Sequence, residues 1–233
     1  MATTQIVNLT LTLTPPALVA LRLAPLLGSS CSLVHAWCEL ITTSAFLNAP
    51  PIGNKLSVLM AGHGHTPSSS SSSSPPTTAK DPGNAKAKEV KEAEEAHAKS
   101  ILIPIWMANF FNRGAWSVIA LNSVTLYSAL ANLYLFPEGL GEFRTVFGLG
   151  TAAAVAHYAF VPAVAPSVGA LYRLCVRQQM GAEVGGKGTE TGKSAEEWIR
   201  EWHGVHRVRM FSVDLVAWGC FAWGVVGVLS RGL

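Results

Sequence analysis

The sequence predicts an all-α protein: a four-helix transmembrane bundle with a disordered polar insert between helices one and two. Three observations lead there. Charged residues make up only 13% of the 233 residues, against roughly 25% in soluble domains. The apolar residues are bunched into four stretches, Ala17–Leu47, Ala115–Phe136, Val146–Cys175 and Val208–Leu229. Each is long enough for the roughly 20 residues that a bilayer demands. Between the first and the second, a run of seven serines, Ser68–Ser74, is followed by Pro75-Pro76, a composition that builds no core.

The chain divides accordingly. Residues 1–16 form an N-terminal segment, 17–61 the first transmembrane helix and its following turn, and 62–100 the low-complexity insert. Residues 101–233 supply three further transmembrane helices that share one bundle with the first. A net charge of +3, with no basic block interleaved with aromatics, argues against a nucleic-acid partner. No basic n-region opens the chain, so no secretory signal is expected. Cys31, Cys38, Cys175 and Cys220 lie in or beside apolar stretches and form no CxxC pair, which points to packing rather than a disulfide framework.

The N-terminal TQIVNLTLTLT alternates apolar and polar residues, as an extended segment would, but nothing evident pairs with it. Pro15-Pro16 suits a helix start. In the first span, Gly28, Cys31, Ser32, His35, Glu39 and Thr42 fall on one face at 100° per residue, and such a polar stripe should face the bundle. Lys86–Lys99 is rich in Ala, Lys and Glu and predicts a solvated helix. ILIPIWMANFFNRGAW then leads into the second span, where Asn109, Asn112, Arg113, Trp116, Ala120, Ser123, Tyr127 and Tyr134 share a face. That face is either an interfacial anchor of Trp and Arg followed by ordinary packing, or a pocket wall with an aromatic floor. In the third span Pro162 and Pro166 predict a kink, with His157 about one turn before it.

The last stretch, from Trp198 to Leu229, organises the rest. A polar, aromatic, basic run turns apolar within two helical turns, and Asp214 lies inside the apolar part. As one regular helix, His203, Arg207, Met210, Asp214 and Phe221 align, so Arg207 is the expected partner of Asp214. Lys and Arg concentrate between spans one and two and between spans three and four. Both long loops are therefore expected on the cytoplasmic side and both termini opposite.

Ionisable groups at membrane depth or its edge are His35, Glu39, Arg113, His157, His203, His206, Arg207 and Asp214. Each has a plain reading beside the functional one. His203 and His206 suit the headgroup level, His35 with Glu39 can be a mutually satisfied pair, and Asp214 with Arg207 a structural ion pair. No nucleotide motif, HExxH, GxSxG or CxxCH is present. His203 and His206 with His35 and His157 have ligand chemistry, but no spacing specific to a metal. A channel or transporter would need a continuous polar path that the third span hardly supplies.

The C-terminal pattern, Trp198 and Trp202 followed by His203-x-x-His206-x-x-Arg209 and an apolar helix with an early Asp214, resembles the fungal anthrone-oxygenase-like integral membrane protein family. LIPIWMANFFNRGAW before span two and GLGTAAAVAHYAFVPAV in span three are similar to it as well. The resemblance covers the chain apart from residues 1–16 and 62–100. It implies a membrane-embedded oxygenase that oxidises an anthrone-type aromatic polyketide to a quinone, with dioxygen as co-substrate and no metal or organic cofactor. His157 or His203 would be the base, and Arg209 or Arg113 would stabilise the anion. His35, Glu39, Asn109, Trp116, Tyr127, Trp202, His206 and Asp214 would shape the substrate site. The implied partners are a small apolar aromatic substrate and the lipid bilayer, in an endomembrane such as the endoplasmic reticulum, and self-association into a homo-oligomer stays open. The competing expectation is a non-catalytic four-span scaffold that docks partners through its insert.

Overall fold

The computed structural model describes residues 2–6, 9–48, 82–181 and 192–231. Four of its helices are long and apolar enough to cross a membrane: Pro15–Leu47, Lys88–Tyr134, Pro137–Gln179 and Ala195–Ser230. The first is α1 (Pro15–Leu47), which starts at Pro15-Pro16, where the missing N–H groups would have had no helical partner. The second lies in α2 (Pro82–Tyr134). The Lys/Glu run is helical and exposed, as expected, and it is the outer part of α2, with no break between it and the bundle at residue 100. Strong helix formers and the i,i+4 pairs Lys88–Glu92 and Glu95–Lys99 carry one helix through. The serine run, His63 and His65 lie outside the described residues.

A 3₁₀ turn (Pro137–Phe143) leads into α3 (Arg144–Ala156), and a second one (His157–Phe160) joins α3 to α4 (Val161–Gln179). Pro162 has no N–H to give the Tyr158 carbonyl, which takes the Val161 N–H instead and tightens the turn. The expected kink therefore falls on His157 itself, while Pro166 sits inside α4. Next, α5 (Ala195–Arg209) opens on a capping box. Ser194 Oγ accepts the Glu197 N–H at 3.2 Å and the Glu197 carboxylate accepts the Ser194 N–H at 2.6 Å. A π turn, Met210–Asp214, passes α5 into α6 (Leu215–Ser230).

The N-terminal segment does find a partner. Strands β1 (Ala2–Ile6) and β2 (Leu9–Leu13) pair antiparallel, Ala2 opposite Leu13 and Ile6 opposite Leu9. Its alternation marked strand correctly, and the missing neighbour is the other half of the same stretch. Among the described residues, which are otherwise helical, these two strands form one small antiparallel pair.

Two apolar cores lie one beyond the other along the helices. One contains Ala129, Leu140, Phe147, Ala217, Phe221 and Val225, the other Ile103, Met107, Leu171, Trp198, Ile199 and Trp202. Most of the buried residues between these two sets are polar, among them Glu39, Asn122, Thr125, His157, His206 and Asp214. Helices α1 and α2 approach closely at Gly28. A Cβ there would overlap Thr125 Oγ1 and lie 3.1 Å from Thr125 N and 3.2 Å from Leu121 O. Large apolar side chains such as Leu27, Val34, Trp223 and Val226 are exposed, as a lipid-facing surface requires.

Candidate functional site

The π turn creates the site. At 100° per residue, the five positions from Arg209 to Asp214 would leave the two side chains about 140° apart. The Leu215 N–H bonds the Met210 carbonyl, five residues back, so this turn holds an extra residue and removes about 100° of that offset. Arg209 Nε then stands 3.3 Å from Asp214 Oδ2. This corrects the expected Arg207–Asp214 pair: Arg207 is exposed, because the regular α period on which it was aligned breaks between the two.

From the 3₁₀ turn at the head of α4, His157 meets the same carboxylate, its Nδ1 2.7 Å from Asp214 Oδ1. Both residues are buried, at 5% and 9% exposure. A carboxylate accepts only, so Nδ1 carries the proton it shares with Asp214. Nε2 lies 3.3 Å from the Asn122 amide nitrogen, and Asn122 Oδ1 accepts from the Ser32 hydroxyl at 3.4 Å.

Arg209 also faces outward along the bundle. Its Nη2 is 3.1 Å from His206 Nδ1 and 3.8 Å from Glu39 Oε2. His206 donates through Nε2 to the Ala36 carbonyl at 2.9 Å, which leaves Nδ1 as the acceptor for the guanidinium. Trp202 stacks on the His206 ring at 4.8 Å. Glu39 is buried and one turn from His35, with His35 Nε2 3.2 Å from Glu39 Oε1. His35 in turn lies against the Phe110 ring at 6.2 Å. One guanidinium stands between the two carboxylates, with His35 and His206 beside Glu39. Ion pairing offsets part of the cost of that burial, while Arg209 Nε, Asp214 Oδ2 and His35 Nε2 make no hydrogen bond among the described residues.

Of the residues singled out from sequence, the fold brings together His35, Glu39, His157, His206, Arg209 and Asp214, with Trp202 stacked at the edge. The others stand apart. His203 is half-buried, its Nδ1 3.0 Å from Thr43 Oγ1. Asn109, Arg113, Trp116 and Tyr127 are exposed, Trp116 and Tyr127 at 73% each. Their shared face is real but points outward, so it does not line the buried cluster. The inward stripe of α1 is likewise displaced. Arg22, Pro25, Gly28, Ser29, Ala36, Glu39 and Thr43 are buried, while Cys31 and Thr42 are exposed.

Sequence reasoning missed two residues. Asn122 is one, and with Thr125, Ser128 and Asn132 it forms the true inward edge of α2. The signal was available, since amides and hydroxyls inside an apolar span need partners and so face inward. The other is Arg22, fully buried at 1%, which donates to Asn132 Oδ1 at 2.8 Å and to the Phe136 carbonyl at 2.7 Å. Among the described residues no three His, Cys, Asp or Glu side chains group so as to hold a metal ion. Beside the cluster, a wholly apolar groove of about 320 Å³ is lined by Leu33, Val34, Trp37, Met210, Phe211 and Leu215.

Compared with family models, with curated proteins and with solved structures, the chain gives no match. The site has to be read from its own chemistry.

Proposed function

We propose that this multi-pass membrane protein is a cofactor-independent oxygenase that converts an anthrone-type aromatic to a quinone, with His157 as the base. The observation that carries the reading is the buried His157–Asp214 pair with the Arg209 cation on the far oxygen of the same carboxylate. An aspartate that orients and supports an imidazole makes its other nitrogen a directed base. His203 has no such support, and Arg113 lies outside the cluster.

The chemistry balances with dioxygen alone. Nε2 takes one proton from the CH₂ opposite the substrate carbonyl, and the electron pair delocalises onto the carbonyl oxygen as a phenolate. The anion passes one electron to dioxygen. Radical and superoxide combine into a C–O bond, and the peroxide takes up the proton. Loss of water, with the second hydrogen of the CH₂, leaves the new carbonyl. Arg209 offsets the negative charge as it forms, which in a dry site counts for more than in water. The groove at Met210 and Phe211 offers a flat apolar molecule a place beside the cluster, reached from the bilayer. An endomembrane such as the endoplasmic reticulum would hold both substrate and protein.

Membranes containing the protein test this by anthrone oxidation, first without air and then with it, against the spontaneous rate. Oxidation above that background that needs dioxygen, survives chelators and disappears in His157→Ala is the expected result. A wild-type rate in His157→Ala would overturn the base assignment. A second reading, a scaffold, is favoured by a different observation: residues 88–98 of α2 are all exposed and charged or small for the most part. Deleting residues 66–98 separates the two, since an enzyme keeps its rate and a scaffold loses its partner.

A further inference from the structure

The two nitrogens of His157 are held unequally. Nδ1 meets a carboxylate at 2.7 Å, and Nε2 meets an amide nitrogen at 3.3 Å. With Nδ1 given to Asp214, a neutral ring offers its lone pair at Nε2, and only the Nδ2 end of the Asn122 amide can serve it; the Ser32 hydroxyl then donates to Oδ1 at 3.4 Å. An amide NH₂ donates only, so the nitrogen opposite it must present a lone pair. Asn122 is 8% exposed and His157 5%, so no bulk water competes for that lone pair.

We propose that Asn122 is the positioning residue of the buried imidazole. It holds His157 as the Nδ1–H tautomer with its lone pair on Nε2, and caps that lone pair until a substrate displaces the amide. The contact from Asn122 is long for a hydrogen bond and therefore the weaker of the two, which suits a cap that must yield. Three helices cooperate in this. Asp214 fixes one side of the ring from the π turn, Asn122 the other from α2, and the Ser32 hydroxyl on α1 takes up the amide oxygen. The catalytic meaning of the cap rests on His157 being the base, whereas the tautomer itself is a property of the resting protein.

The test is solid-state nitrogen-15 NMR of histidine-labelled protein in lipid, with the His157 signals identified as those lost in His157→Gln. The expected wild-type spectrum shows a protonated Nδ1 and an unprotonated Nε2. In Asn122→Asp, nearly the same size, a second carboxylate faces the ring and both nitrogens become protonated. In Ser32→Ala the amide is free to turn, and the Nε2 signal splits or broadens. A protonated Nε2 in the wild type overturns the proposal and needs no variant to be folded. Because these readouts use no substrate, they stand or fall separately from the oxidation assay. A tautomer as proposed together with no anthrone oxidation would reject the reaction and keep the positioning role.

Discussion

Arg209 and Asp214 are five residues apart on one continuous helix, and their charges meet at 3.3 Å. In a regular α-helix they would point to different sides. The π turn between them is the local distortion that lets one helix place a cation and an anion in the same interior position. Glu39 from α1 and His157 from the kink before α4 complete the arrangement, so the pair is held from two further helices.

That geometry separates two neighbouring arginines. Arg209→Met strands Asp214 and Glu39 in the interior and should cost about 3–5 kcal/mol, the usual result of removing one partner of a buried pair. Arg207→Ala, at an exposed position, should change stability by no more than about 0.5 kcal/mol. Thermal unfolding of the two variants in the same detergent is the comparison. Equal losses would mean that Arg209 supports the aspartate no more than Arg207 does.

Asp214→Asn keeps the shape of the side chain and removes the charge that supports His157. Quinone formation should fall by at least about 10²-fold, within the range general-base catalysis supplies, with the protein still folded. A fall of less than about threefold would show that the imidazole acts without its carboxylate.

Arg113→Gln and Tyr127→Phe stand on the outward face of α2. Their oxidation rates should stay within about twofold of wild type, since surface changes away from a site rarely exceed that energy. A large loss in either would return the outward face to the substrate site.

Gly28→Ala tests the α1–α2 contact. The new methyl group overlaps Thr125 Oγ1 and should cost about 1–3 kcal/mol, as overpacking does. Adding Thr125→Ala should restore only part of the loss, because the Thr125 amide nitrogen and Leu121 carbonyl remain at 3.1 and 3.2 Å. Complete restoration would place the clash in the side chain alone.

Much of this protein could be read without its structure. Four apolar lengths sufficient for a bilayer, the helix start at Pro15-Pro16 and the break before Pro162 are local properties, set by side-chain polarity and by a missing N–H. Ionisable residues inside those lengths also marked themselves as interior, and six of the sequence candidates meet in one cluster. What remained hidden depends on partners from other helices. No local pattern tells that the α period lapses at Met210–Asp214, because its effect is tertiary: it brings Arg209 and Asp214 together beside His157. The outward course of Trp116 and Tyr127 was equally undecided, since a helical period states which residues share a face and not where that face points. Packing against α1 turned Asn122 inward, and only there does its amide meet His157.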